Sequence, residues 1–107
     1  MPKYLFEASY TTEGAKGVQS AGGSSRRDAV ARVAESAGGT LECFYFAFGV
    51  DDVILIADVP DNKTALAMAA TVGSSSAISS YETVPLLTTQ EVDAAMKIAV
   101  GYRAPGT

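Results

Sequence analysis

Residues 3–10 (KYLFEASY) alternate in character, with Tyr4, Phe6, Ala8 and Tyr10 on one side and Lys3, Glu7 and Ser9 on the other, Leu5 being the exception. A period of two over this length predicts a first strand with one buried face. From Thr11 the pattern changes. Thr11-Thr12-Glu13 resembles a helix start, but Gly14, Gly17, Gly22 and Gly23 punctuate the next ten residues. A restart at Ser25 is better supported: Val30, Val33, Ala34 and Ala37 recur at i, i+3, i+4, i+7, and Gly38-Gly39 ends the run as a C′ glycine does. The helical region is therefore expected to break or bend at Gly22-Gly23.

Residues 40–48 (TLECFYFAF) and 52–59 (DVILIADV) read as two short apolar strands, joined through the turn chemistry of Gly49-Val50-Asp51. Pro60-Asp61 stops the second of these and caps a helix whose inward stripe is Ala65, Met68, Ala69 and Val72. The stripe fades in Gly73-Ser74-Ser75-Ser76, and residues 77–86 (AISSYETVPL) form a fourth strand. Thr88-Thr89-Gln90-Glu91 is a capping box, opening a helix that carries Val92, Ala95, Met96 and Ala99. A tail over residues 101–107, with Pro105 and Gly106, is expected to fray.

The order is βαββαβ plus a C-terminal helix, in one domain spanning 1–107. This predicts an α+β, ferredoxin-like fold with a four-stranded antiparallel sheet of order 4-1-3-2. Strands two and four are then edges, which suits Pro85, since proline cannot donate to a ladder. Two helices would cover one face of such a sheet and leave the other bare. Yet strand two carries Phe44, Phe46 and Phe48 on one side and Leu41, Cys43, Tyr45 and Ala47 on the other. Strand three likewise sets Ile54 and Ile56 against Val53, Leu55 and Ala57. Strands apolar on both faces are normally covered on both. The expectation is a homo-oligomer formed through the helix-free face, of the dimeric α/β-barrel kind or a ring. The alternative is a monomer whose last helix folds back over that face.

Composition narrows the chemistry. Of 107 residues, 48% are hydrophobic and 19% charged, with net charge −4, which excludes a basic nucleic-acid footprint. There is no histidine, which removes the usual general base and the commonest metal ligand. The single Cys43 has no CxxC partner, so no structural zinc or dithiol site is expected, and its apolar neighbours predict a buried small hydrophobe. No metal and no cofactor are called for. No apolar run approaches the ~20 residues of a membrane helix, and the opening Met1-Pro2-Lys3 lacks the long apolar stretch of a signal peptide, so a cytoplasmic setting is expected without membrane partners.

Several residues invite chemical roles, each beside a plainer structural one. Asp51-Asp52 can share a proton or bind a hard cation, though Asp is also a common turn former. Gly22-Gly23-Ser24-Ser25-Arg26-Arg27 places glycines, hydroxyls and two cations at a helix start, a setting for anions, but it lacks GxGxxG and GK[ST]. Ser24, Ser25, Arg26 and Arg27 are thus candidate ligand-binding residues. Asp58 stands in an apolar strand, where enclosure would fit it for acid–base work and a strand end would leave it solvated. Tyr4, Tyr10, Tyr45 and Tyr81 fall on strands and offer phenolic donors. The candidate catalytic residues are Tyr10, Tyr45, Asp52 and Asp58.

The chain resembles the GYD-domain proteins, small bacterial proteins of largely uncharacterised function. The resemblance rests on MPKYLFEASYTTEGAKG, on GGSSRRDAV followed by GG, on LECFYFAFG, on DVILIADVPDN and on LLTTQEVDAAMK, in family order and spacing. The Gly-Tyr-Asp signature falls on Gly49 to Asp52, with Asp51 where the family usually has tyrosine. The resemblance implies a ferredoxin-like fold and oligomers, and implies no established reaction, substrate or cofactor. The expected function is therefore a non-catalytic oligomeric module, with a small ligand possible between subunits. The alternatives are a small cofactor-independent oxygenase or isomerase with a cavity beneath the sheet, and anion or nucleotide sensing at Gly22 to Arg27.

Overall fold

Strand β1 (Lys3–Tyr10) pairs antiparallel with β3 (Val53–Asp58) on one side and β4 (Ile78–Leu86) on the other, and β2 (Thr40–Phe46) closes the outer edge of β3. The computed structural model describes all residues 1–107. Sheet order is β2-β3-β1-β4, so β1 and β3 are central, and Pro85 lies on an edge strand as its missing donor requires.

Between β1 and β2 run α1 (Thr12–Ala21) and α2 (Gly23–Ser36), separated by Gly22 at φ +89°. That left-handed residue turns the chain between two helices at a position where an L side chain would be strained. Thr11 caps α1 by accepting the Gly14 amide, while its own hydroxyl donates to the Ser76 carbonyl. At the far end of α2, Gly38 (φ +83°) donates to the Glu35 carbonyl and Gly39 to that of Ala34, a Schellman closure. Helix α3 (Asn62–Gly73) is capped by Asp61, whose carboxylate accepts the Thr64 amide at 2.8 Å. That contact holds the Asp61 carboxyl below its usual range.

The core lies between the sheet and the helices. Tyr4, Val53, Leu55, Ala57, Val59 and Ala65 are its buried centre, with Phe6, Val30, Leu41, Phe44 and Met68 packed around them. The Tyr4 hydroxyl is satisfied by donating to the Asn62 side-chain oxygen at 2.6 Å. The expected stripes of α2 and α3 face this core.

Four expectations need correction. Phe48 lies beyond β2, in the connecting loop, and is fully exposed. Leu41 shares the helix side with Phe44 and Phe46 rather than the opposite face, because the ladder slips by one residue between Leu41 and Cys43. A one-residue bulge moves every later side chain to the other face. Cys43 consequently sits on the helix-free face and is only half-buried. The capping box at Thr88 is present, with the Thr88 hydroxyl accepting the Glu91 amide and the Glu91 carboxylate accepting the Thr88 amide, but α4 (Thr89–Ala95) stops short of Ala99. Every residue from Leu87 to Thr107 is exposed, and α4 makes at most marginal contact with any other element.

Candidate functional site

On the helix-free face the strand register composes three cross-sheet rows. Cys43, Ile56, Leu5 and Val84 make an apolar row across all four strands. Below it run Tyr45, Ile54, Glu7 and Glu82, and above it Thr40, Asp58, Lys3 and Leu86. The Lys3 ammonium donates to the Asp58 carboxylate at 3.0 Å and to Glu42, the bulged residue, at 2.5 Å. These contacts raise the Lys3 pKa above 10.5, the Glu42 bond first and Asp58 second. On the opposite flank, a hydrogen bond with Asp51 pushes the Glu7 carboxyl above the usual range, helped by desolvation and by the Asp51 and Glu82 charges. Glu7 stands directly opposite Glu82 in the register, a like-charge pairing that sheets normally avoid.

The Gly49–Asp52 turn is latched to the end of β1. The Asp52 amide donates to the Ala8 carbonyl at 3.0 Å, and its carboxylate accepts the Tyr10 amide at 2.9 Å. Ser9 donates to the Val50 carbonyl and to Asp51, both at 3.2 Å. The final aspartate of the turn thus holds the β2–β3 connection against β1.

The helix side carries a second feature. A cavity of about 80 Å³ lies between the sheet and helices α2 and α3, with walls that are almost wholly apolar. Tyr10, Arg26, Tyr81, Thr83, Glu7 and Glu82 are the polar residues on its border, but they turn almost no polar surface into it. The Arg26 guanidinium lies beside the Tyr10 phenol; burial raises the phenol's pKa, and Arg26 offsets part of that rise. Arg26 forms no ion pair, and both its Nε and the Thr83 Oγ1 are shut off from solvent without a hydrogen-bond partner.

Of the residues singled out from the sequence, the structure brings Tyr10, Arg26 and Asp52 together at one end of β1. Tyr45 is exposed on the other face, and Asp58 is ion-paired with Lys3 at the opposite end of the sheet. Ser24, Ser25 and Arg27 lie exposed at the start of α2, where Arg27 pairs loosely with Asp28 at 3.9 Å. Sequence reasoning missed Thr83. Its signal was present, because the inner-face alternation Tyr81, Thr83, Pro85 places a threonine hydroxyl on the side of the sheet that faces the core.

Fold and surfaces together define an α+β protein with helices on one face of an antiparallel sheet and an apolar row on the other. The GYD domain model matches residues 4–96, and the chain belongs to that family. No curated protein matches it. No helix is long and apolar enough to cross a membrane.

Proposed function

We infer that the chain is a self-assembly module, a ferredoxin-like unit that packs on a second copy of itself through its helix-free face in the manner of a dimeric α/β barrel. The observation that carries this reading is the distribution of apolar surface. Only ten of 107 residues are buried, while Leu87, Val92, Met96, Ile98, Val100 and Tyr102 stand exposed along an arm whose helix makes at most marginal contact with any other element of its own chain. The radius of gyration, 17.0 Å, exceeds the ~13 Å of a compact chain of this length because the arm projects. Exposed apolar surface on this scale marks an interaction surface.

A second copy fits better than a foreign partner because the face is self-complementary. A two-fold axis along the Cys43–Ile56–Leu5–Val84 row sets apolar row on apolar row. It also brings Lys3 of one copy over the Glu7–Glu82 flank of the other, relieving the like-charge pairing there. The arm of each copy is then free to lie across its partner. A reducing, cytoplasmic setting accords with the half-exposed, unpaired Cys43.

Sedimentation velocity at micromolar concentration tests the reading. The expected species is a dimer or a larger closed assembly; a single species of 11.0 kDa, the mass of one chain, overturns it. Ile56→Lys, which puts a charge into the centre of the apolar row while leaving the helix-side core intact, is expected to yield that monomer.

A further inference from the structure

We propose that the arm docks in a groove between α3 and β4 of a second copy, each subunit seating its α4 stripe on the other. The inference rests on the assembly read above and adds the surface that receives the arm.

The groove lies at the open edge of the sheet, on its helix side. Tyr4, Ala65, Leu66, Ala69, Tyr81 and Pro85 form its walls around about 220 Å³, and the surface they present is almost wholly apolar. It exists because α3 turns alanines toward an edge strand that has no neighbour outside it, so nothing large fills the angle between helix and sheet. The Tyr81 ring lies where a Cβ on Gly73 would stand, which seats that wall firmly against α3. Even so, Tyr81 remains 49% exposed and Leu66 67%.

Three observations commit this groove to the arm of a second copy. The first is pattern. Val92, Ala95, Met96 and Ala99 recur at i, i+3, i+4, i+7, the spacing with which a helix anchors itself in an apolar groove. Met96 suits irregular walls, being unbranched and adaptable. In the single copy α4 ends at Ala95, and a docked stripe has reason to continue to Ala99. The second is charge. Glu91 and Asp93 make α4 acidic, whereas no charged residue lines the groove. Lys63, next to Asn62 on the rim, has no ion pair, and the neighbouring Asp61 carboxylate is engaged by the Thr64 amide.

The third is reach. A two-fold axis along the Cys43–Ile56–Leu5–Val84 row lays β4 over the partner's β4. It sets Leu86 over the partner's Glu82, since both lie two residues from Val84. The partner's Tyr81 is the next residue, on the far side of that sheet. With facing sheets ~10 Å apart and the groove about half as far again beyond, the arm has about 15 Å to cross. Leu87, Thr88 and the seven residues of α4 span about 17 Å. Docking on its own groove demands a reversal within Leu87-Thr88, and the arm instead projects, giving the chain a longest dimension of 58 Å.

The test mixes native chain carrying methyl-labelled methionine with unlabelled native chain and lets the subunits exchange. An isotope-filtered NOE is expected from the Met96 methyl of the labelled copy to a tyrosine ring of the unlabelled one. It should vanish when the unlabelled copy carries Leu66→Asp, a change at an exposed side chain outside the core. In sedimentation, Leu66→Asp and Met96→Asp should each weaken dimer formation at least a hundredfold, tenfold for each of the two arms. The double variant should be no weaker than the worse single one, because both changes break one contact. A native dimer that keeps its affinity in Leu66→Asp, or shows no NOE between copies, overturns the docking and leaves the assembly standing. A native monomer overturns both. An NOE from Met96 to a ring of its own copy, persisting on dilution, shows the arm folded back and overturns the exchange. Should either variant fail to fold, the NOE in the native chain decides.

Discussion

Gly14 and Gly17 sit three residues apart on α1 in opposite surroundings. A Cβ on Gly14 would land on the Ala77 carbonyl oxygen, which is backbone and cannot turn aside, whereas a Cβ on Gly17 meets nothing. Gly14→Ala is therefore expected to destabilise by about 1–3 kcal/mol, the range for forced overpacking. Gly17→Ala should stabilise by about 0.4–1 kcal/mol, through a less flexible unfolded chain. Thermal melts of the two variants should move in opposite directions from the parent. Glu7 makes a second residue-scale prediction. Its folded pKa lies above 4.5, so its favourable contribution is complete below 4.5 and is lost as pH rises through the raised value. Glu7→Gln should raise the melting temperature at pH 7, and this advantage should vanish as the pH falls below about 4.5. Neither residue's behaviour was legible in sequence. Gly14 looked like one more helix interruption, and the neighbours that perturb Glu7 come from a loop and from a distant strand, β4.

Among the elements, legibility followed how local the determinants are. Alternation along β1 and β3 was readable because Val53, Leu55 and Ala57 face the core in simple period two. In β2 the same reasoning set Leu41 on the wrong face, since the bulge at Glu42 has no glycine or proline to announce it and arises from pairing with β3. Helix α4 was readable in its start and not in its end. Its capping box is a four-residue signal, but the stripe from Val92 to Ala99 finds almost no surface in its own chain, and a helix this short gains little from propensity alone. Thr88→Ala, which removes the cap, should cost about 1 kcal/mol of α4. Because α4 makes at most marginal contact with its own chain, the loss is expected in association rather than in folding. With about 1 kcal/mol lost from each of the two arms, a dilution series by sedimentation should show dimer formation weakened roughly 25- to 30-fold, with the monomer's own melt unchanged. Arg26 illustrates the same limit at the candidate cavity. Its charge and its glycine-rich approach were visible, but its inward direction depends on the phase that Gly22 imposes on α2.

For the whole molecule, the small core sets the terms. Leu55 and Val59 are among only ten buried residues, so Leu55→Ala, at about 2–5 kcal/mol, removes a large part of what a single copy has to hold it together. If assembly supplies the remainder, the melting temperature must rise with protein concentration, because a partner that binds only the folded state stabilises it by mass action. The native chain should show that rise between roughly 1 and 100 µM, and Ile56→Lys should not. A concentration-independent melt for the native chain would place all of the stability within one copy.

The arm from Leu87 to Tyr102 has a consequence for chains that share a cell. Its side chains contribute nothing to the core of the subunit that carries them, so they are free to diverge without loss of folding. Two members of such a family with equally sound cores can therefore stay apart merely by carrying different arms. Under the proposed assembly, discrimination between self and near-self would be lodged in a segment that mutation can alter cheaply, and an exchange of residues 87–107 between two relatives should carry partner choice with it.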